Sequence, residues 1–554
     1  MRAAASAGLR VFRRVLGWTA RLSRWPASSA RRPPAALWVT ACLVGLVLLL
    51  PPAYLALRAA GAGGDAWELV FRWRGLETLG RTLLLAGAVT GGAILLAVPL
   101  AWLTLRTNLP GRRAWAVATV LPLVIPSYVA GMVVVAALGP RGMLQRALEG
   151  PFGIQRLPDI YGFPGAMLTL TFLTYPYVLL TVRAALERLD PALEEVSRGA
   201  GYGPWTTFRR VVLPLLRPSI AAGGLLVALY TLNDFGAVSL MRYETFTWAI
   251  YLQYETALDR TLGAGLSLAL MALALALVAG EALTRGRSRY YRAGAGTART
   301  AARVRLGRWR WPALGFCAGV VLVSLVLPVG VLGYWVFQSG SLAASPLPLW
   351  SAARNSIYVS AIAAAAAVLA SLPVAVLTVR YPGRLSVLLE RVTYLGFALP
   401  GITIALALVF FGANYTPFLY QSLGLLLVGY LVLFLPAAVG AARASLLQVG
   451  PNLEQAARSL GRTPLGVFTS VTLPLVRPGL ISGAALVFLL TMKELPATLI
   501  LSPIGFRTLA TAIWGAASEA FFARAATAAL LLVLVSAVPM ALLVARERAT
   551  ETRL

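Results

Sequence analysis

The chain has 554 residues, of which 59% are hydrophobic and 12% charged, and its mean hydropathy is +0.77. This composition excludes a set of water-soluble domains and is typical of a polytopic membrane protein. The net charge of +29 would suggest nucleic-acid binding in a soluble protein, but most arginines lie in short segments between apolar runs, so we expect no nucleic-acid partner. The chain has no histidine and only two cysteines, Cys42 and Cys317, which excludes imidazole chemistry and a disulfide framework.

The first part of the chain alternates basic segments with apolar runs. Residues 1–35 form an arginine-rich leader without an acid, which we expect to be retained and cytoplasmic. Residues 36–283 form a first half with six apolar runs, each long enough to cross a roughly 30 Å hydrocarbon core as a helix. The runs are 36–57, 82–104, 114–138, 163–185, 219–241 and 261–283.

The second part repeats this pattern after a basic linker. The linker, residues 284–311, carries nine arginines and no acid, which predicts a cytoplasmic location. Residues 312–545 form a second half, and residues 546–554 form a short basic tail. The six runs assigned to this half are 311–337, 356–379, 385–411, 422–444, 479–501 and 523–545. Twelve crossings place both termini in the cytoplasm and make the halves parallel repeats.

A polar segment occurs twice, once in each half, between the fourth and fifth apolar runs. Residues 190–218 and 450–478 match at a constant spacing of 260 positions, which indicates a duplicated half. Each copy predicts two short helices joined by a glycine turn, with Asp190 as an N-cap in the first copy. An exposed short helix held between two fixed ends is suited to docking into a groove of a partner protein.

The repeated segment resembles the EAA loop of the permease subunits of ABC importers, the cytoplasmic element that contacts the ATPase. The resemblance implies an all-α polytopic membrane protein of about 12 transmembrane helices, arranged as two parallel six-helix repeats in the MetI-like type I permease fold. It also implies an ATPase-coupling role for one set of residues. These are Glu194, Glu195, Gly201, Trp205, Phe208, Glu454, Gln455, Gly461, Leu465 and Phe468.

The family resemblance also implies the partners and the location. We expect two copies of an ATPase subunit, an extracytoplasmic solute-binding protein, and the bacterial cytoplasmic membrane. The chain has no Walker A loop, because its only lysine, Lys493, precedes Glu494 in an apolar run. ATP with Mg²⁺ is therefore expected on the separate ATPase, while this chain is expected to be a non-enzymatic permease that has no catalytic residues and binds no cofactor.

The substrate is less closely indicated by the sequence. Residues 231–251, 355–360, 380–410 and 491–514 are similar to the fused ferric-iron branch of these permeases. Related fused permeases for thiamine, organophosphonates or other small solutes remain open, and no metal-ligating residues are assigned. An alternative of another class is an ion-coupled secondary carrier of six plus six helices, although residues 106–113 lack the acidic signature loop expected there.

Ionisable residues inside the fifth run of each half are candidates for the translocation path. Asp234 in the first half matches Glu494 in the second, and Lys493 lies beside Glu494. Charged groups at this depth are costly and normally face an internal cavity or a partner. Two interpretations are open. The carboxylates could contact a translocated cation, or Lys493 could form an ion pair with Asp234 or Glu494 that holds the halves together.

Overall fold

The structure is a computed structural model that describes residues 33–61, 72–256, 261–284, 304–339 and 346–551. These residues are almost entirely helical, with one isolated β-bridge between Thr107 and Val304. Most of the leader (1–32), most of the linker (285–303) and the end of the tail (552–554) lie outside the described residues.

The described residues of the first half form eleven α-helices of very different lengths. They are α1 (Ala35–Gly61), α2 (Trp73–Arg106), α3 (Arg112–Ala118), α4 (Ser127–Leu138), α5 (Met143–Phe152), α6 (Phe163–Arg188), α7 (Pro191–Gly199), α8 (Pro204–Asn233), α9 (Gly236–Leu240), α10 (Phe246–Thr256) and α11 (Thr261–Thr284).

The second half repeats this order with fewer short helices among its described residues. They are α12 (Gly307–Gln338), α13 (Pro346–Arg380), α14 (Arg384–Ala398), α15 (Gly401–Tyr415), α16 (Leu423–Gln448), α17 (Pro451–Ser459), α18 (Pro464–Met492), α19 (Pro496–Leu501), α20 (Leu509–Ser518) and α21 (Phe522–Glu551).

The third span of each half is broken, which corrects the prediction of one continuous helix over 114–138 and over 385–411. In the first half the chain leaves α3, makes a short 3-10 turn, and restarts as α4 after Pro126. In the second half it restarts as α15 after Pro400. Ile125 and Leu399, which precede these prolines, have extended ψ values of 125° and 127°. A proline disfavours helical geometry in the residue before it, which explains both breaks.

The fifth span also departs from the predictions over 219–241 and 479–501. Each helix begins about 15 residues earlier, runs through the prolines that we expected to end the repeated segment, and stops at residue 233 or 492. A π turn allows this, at Phe208–Val212 in α8 and at Phe468–Thr472 in α18. The wider turn accommodates a downstream proline, which lacks the N–H of a regular α-helical bond.

The described part of the chain contains eleven helical stretches that are long and apolar enough to cross a membrane, and one of them, Ser127–Phe152, joins α4 and α5. The sequence-based number was twelve, and the difference lies in the third span of the second half. Its two pieces, α14 and α15, have 15 residues each, so neither reaches the roughly 20 residues of a full crossing. Pieces of this kind are tolerated at membrane depth where they are buried within the protein. Most of α15 is indeed buried, from Gly401 to Phe410.

The first helix of each half packs against the other half. Helix α1 contacts α13, α14 and α15 of the second half as well as α11 of its own. Tyr54 of α1 packs edge-on against Phe411 and Tyr415, with ring centroids 6.2 and 6.1 Å apart. Helix α12 contacts α2, α4 and α6 of the first half and α21 of its own. The two halves are therefore joined by an exchange of helices rather than by a single flat interface.

The two repeated loops lie at the same end of the molecule. Val304, just before α12, donates its N–H to the carbonyl of Arg106 at the end of α2, 2.8 Å away. Helices α8 and α18 lead away from the two loops, and the far end of α8 meets the second half, because the ring of Phe235 lies 5.1 Å from that of Trp514 in α20. Arg106 contacts the first loop and Arg380, at the end of α13, contacts the second.

Close approach of the fourth and fifth spans depends on a glycine in each half. A Cβ atom on Gly223 of α8 would lie 2.7 Å from the Cα of Val178 in α6, and one on Gly483 of α18 would lie 3.1 Å from the Cβ of Ala441 in α16. These glycines are 260 positions apart. Small residues at such crossings allow helix backbones to approach, which is a main source of packing energy inside membranes.

We predict that Gly223→Ala lowers the stability of the protein by about 1–3 kcal/mol, because the added methyl group meets backbone that cannot move aside. Gly91→Ala in α2 is the matched control, since nothing lies within 4 Å of a Cβ there. Thermal denaturation of the purified protein in detergent measures both. Equal midpoints for the two variants would contradict the tight crossing.

Candidate functional site

Each repeated loop is a short helix, a left-handed glycine turn and the start of a long helix. Asp190 caps α7 by accepting the N–H of Ala192 at 3.0 Å, which confirms the predicted N-cap. Gly201 has φ +85° and Gly461 has φ +81°, and both follow the end of their helix. Glycine adopts this conformation without the steric cost that a Cβ atom brings, so the two glycine turns predicted from the sequence are confirmed.

A buried ion pair ties each loop to the end of a long membrane helix. In the second half the guanidinium of Arg380 donates to the carboxylate of Glu454 at 2.8 Å and 3.1 Å, and the hydroxyl of Thr472 donates to the same oxygen. In the first half Arg106 lies 3.2 Å from the carboxylate of Glu194. Both glutamates are less than 10% exposed. The loops are therefore anchored from within the protein.

The two arginines were not among the residues predicted from the sequence. We read Arg106 and Arg380 only as positive charges that mark a cytoplasmic loop. The signal that could have found them is their equivalent position at the end of the second helix of each half, although they lie 274 and not 260 positions apart. The carboxylates of Glu194 and Glu454, two of the predicted coupling residues, face these arginines inside the protein.

The remaining coupling candidates divide into exposed groups and anchors. Trp205 is 72% exposed and Leu465 is 73% exposed, while Glu195 and Gln455 are exposed on the preceding helices. Phe208 and its counterpart Phe468 are only half-buried. The Phe208 ring packs between Trp205 and Trp102 of α2, with centroids 5.7 and 5.8 Å apart.

Other large apolar side chains extend the exposed surface of both loops. The first loop adds Val196 at 72% exposed and Tyr202 at 45%, and the second adds Leu453 at 54% and Leu460 at 84%. These side chains belong to polar loops outside the long apolar helices. An exposed apolar patch rimmed by polar residues in such a position marks a surface for protein contact.

A second candidate region lies where the fifth span of each half is interrupted. The carboxylate of Asp234 accepts the N–H groups of Ala237 at 2.9 Å and Val238 at 3.3 Å. The carboxylate of Glu494 accepts the N–H of Ala497 at 3.1 Å. Each acid therefore caps the short helix, α9 or α19, that follows the interruption.

Lys493 connects the two halves by a bond to a backbone carbonyl, and not by the ion pair that was one of the two interpretations. Its ammonium donates to the backbone carbonyl of Leu123 in the broken third span of the first half, 2.7 Å away. No ion pair joins Lys493 to Asp234 or Glu494, all of which lie in the described part of the chain. Both carboxylates are occupied by helix N–H groups, while the break at residue 123 leaves a carbonyl that lacks a helical partner.

The two interruptions differ in detail. A Cβ atom on Gly401, the first residue of α15, would lie 2.7 Å from the carboxylate oxygen of Glu494. In the first half the corresponding position is Ser127, and the acid is Asp234, one methylene shorter. The longer acid thus lies against a residue with no side chain. Asn233 occupies the position that matches Lys493, and its Oδ1 is buried without a hydrogen-bond partner.

A metal centre is not indicated at either region. Within the described residues no group of three or more Cys, Asp or Glu side chains is placed to hold a metal ion. Glu244, which follows α9, forms an ion pair with Arg81 at 2.9 Å.

Comparison with known proteins identifies the family. Residues 93–284 and 363–551 match the family described as "Binding-protein-dependent transport system inner membrane component". The chain is 38% identical over 518 residues to the Fe(3+)-transport system permease protein FbpB 2 of Haemophilus influenzae, an alignment that covers 93% of this chain and 98% of the relative.

Two further relatives align with shorter parts of the chain. The sulfate transport system permease protein CysW of Synechococcus elongatus is 30% identical and covers 48% of this chain and 94% of the relative. The molybdenum transport system permease protein ModB of Escherichia coli is 33% identical and covers 28% of this chain and 69% of the relative. With both halves matched by one family, the chain belongs to the inner-membrane components of binding-protein-dependent transport systems, which are the permeases of ABC importers.

Proposed function

We propose that this chain is the fused permease of an ABC importer for ferric iron, with two copies of an ATPase bound to its two loops. The family implies an ATPase partner and a solute-binding protein, and it excludes the secondary carrier. The assignment of iron is supported by the relative that aligns over nearly the whole chain. ATP with Mg²⁺ would be used by the ATPase, and both termini would be cytoplasmic.

The observation that carries this proposal is the construction of the two loops. Each presents exposed apolar side chains on one side and is fixed on the other by a buried arginine and glutamate pair. Both lie at the same end of the molecule, where positively charged segments predict the cytoplasm. A partner that moves one loop would therefore also move the end of α2 or α13, and with it the half to which that helix belongs.

The path would run between the halves, past the interruptions at residues 234 and 494. Interrupted helices with polar ends are typical of binding sites near the middle of a membrane. Lys493 crosses from one half to the other at this level, and its hydrogen bond to Leu123 must change when the halves separate there. The carboxylates of Asp234 and Glu494 would act by fixing the short helices that border the path.

We expect membrane vesicles that contain this chain and its ATPase to take up radiolabelled ferric iron when the iron-loaded binding protein and ATP are supplied. Removal of the ATPase should abolish uptake, since this chain carries no Walker A loop. Thiamine, an organophosphonate, sulfate and molybdate are the competing substrates to assay in parallel. Uptake of any of these in place of iron would refute the iron assignment, and iron transport by the purified chain alone would refute the importer.

The double variant Gly201→Val and Gly461→Val should reduce coupled uptake at least tenfold without changing the amount of protein in the membrane. A side chain in the left-handed conformation costs about 1–2 kcal/mol per residue, and a β-branched one more, so the turns should shift. Gly199→Val is the control, because its added Cβ also meets nothing within 4 Å and its backbone is helical. Full uptake by the double variant would show that the shape of these loops is not needed for coupling.

Glu454→Gln should loosen the second loop, because removing one partner of a buried ion pair leaves the charge of Arg380 uncompensated, at a cost of about 3 kcal/mol. Trypsin cleavage after Arg458 and Arg462 in the purified protein should become faster, and coupled uptake should fall. Asn452→Ala, at an exposed position of the same helix outside the coupling set, should change neither by more than about twofold. If the second loop of Glu454→Gln resisted trypsin as well as the native loop does, the ion pair would not be what anchors the loop.

A further inference from the structure

A shallow basic cavity of about 440 Å³, widely open to the outside, lies beside the turn that follows α2, on the same side of the molecule as the loops. It is lined by Asn108, Leu109, Gly111, Arg112 and Arg113. The indole N–H of Trp115 donates to the carbonyl of Pro110 at 3.0 Å and closes the turn. The cavity wall is therefore an ordered backbone turn that carries two guanidinium groups.

The segment that leads into α12 adds positive charge next to this cavity. The N–H of Asn108 donates to the carbonyl of Val304 at 3.2 Å, and the side-chain oxygen of Asn108 accepts the N–H of Leu306 at 3.0 Å. Arg305 and Arg308 follow Val304 closely in the sequence, so this pairing brings their part of the chain to the turn that lines the cavity. The sequence has no acid between residues 77 and 149 or between 281 and 390.

The cavity also lies where a membrane surface is expected. Helix α2 ends at Arg106, two residues before the cavity begins, and α12 starts at Gly307. Trp309 is 74% exposed and Trp311 is 69% exposed, and the guanidinium of Arg310 lies 5.1 Å from the ring centroid of Trp311. Exposed tryptophan and arginine side chains at the ends of spanning helices are typical of the boundary between hydrocarbon and water.

The corresponding turn of the second half is built differently. Its sequence Pro382-Gly383-Arg384 repeats Pro110-Gly111-Arg112, but Leu385 replaces the second arginine. The hydroxyl of Ser386 accepts the N–H of Gly383 at 2.7 Å. An acid, Glu390, follows on the same helix. The doubly basic cavity is thus a feature of the first half, and the chain itself offers a control site.

We propose that the cavity binds the phosphate of an anionic phospholipid headgroup from the cytoplasmic leaflet. The guanidinium of Arg113 lies at a membrane edge, in the kind of basic pocket that attracts such headgroups. A bound phosphate would also steady the residues next to Arg106, which holds Glu194 of the first loop. The bilayer would then contribute directly to the anchoring of one loop and not of the other.

The test is a titration of the purified, delipidated full-length chain with short-chain phosphatidylglycerol, short-chain phosphatidylcholine and inorganic phosphate, followed by thermal denaturation. Phosphatidylglycerol should bind, and phosphatidylcholine should bind at least tenfold more weakly. Each charge near a membrane surface changes affinity roughly fivefold, so Arg113→Glu should weaken phosphatidylglycerol binding more than tenfold. Arg384→Glu in the second half is the matched control and should change binding less than twofold.

Three outcomes overturn the proposal. The first is unchanged phosphatidylglycerol binding by Arg113→Glu, and the second is an equal loss in Arg384→Glu, which would indicate a general effect of net charge. The third is binding of inorganic phosphate at least as strong as that of phosphatidylglycerol, which would assign the cavity to a soluble anion. A conservative Arg113→Lys variant should retain most of the binding, because the positive charge remains.

Discussion

The buried pairs of Arg106 with Glu194 and of Arg380 with Glu454 are the interactions on which the proposed mechanism depends. A surface loop with exposed apolar side chains can bind a partner, but it transmits force only if it is fixed to the rest of the protein. An ion pair removed from water resists separation far more than one at the surface, because breaking it leaves a charge without compensation. Each loop is therefore an extension of a spanning helix, and a displacement at Trp205 or Leu465 reaches that helix directly.

The interruptions of the third and fifth spans form a second set of constraints, at the level where the halves meet. Breaking a helix inside a membrane frees N–H and carbonyl groups that water cannot satisfy. Asp234 and Glu494 accept some of these N–H groups, and Lys493 donates to one of the carbonyls. The ionisable residues that marked a candidate path in the sequence thus support irregular backbone. The hydrogen bond from Lys493 joins different halves. It therefore stabilises the break and can form only while the halves are in contact there.

The repeated loops could be predicted from the sequence because their capping residue, glycine turns and spacing are local signals. The breaks could not be located in the same way. Pro126 and Pro400 interrupt a helix, whereas Pro176 and Pro436 lie inside continuous ones. Whether a proline breaks a membrane helix depends on what the neighbouring helices offer to the freed groups, which is tertiary information. The ion pairs were hidden for a similar reason, since an arginine at the end of a helix is also what the positive-inside rule predicts.

The two halves are not equivalent, and the differences bear on how force divides between them. Glu454 receives two short bonds from Arg380 and one from Thr472, whereas Glu194 is shared between Arg106 at 3.2 Å and Arg198 at 3.6 Å. The second loop is therefore the more firmly anchored from within. If two copies of an ATPase bind the two loops, as proposed, the same displacement would be transmitted more completely to the second half. In the first half, which carries the basic cavity next to Arg106, a bound phospholipid would strengthen the weaker anchoring of the loop.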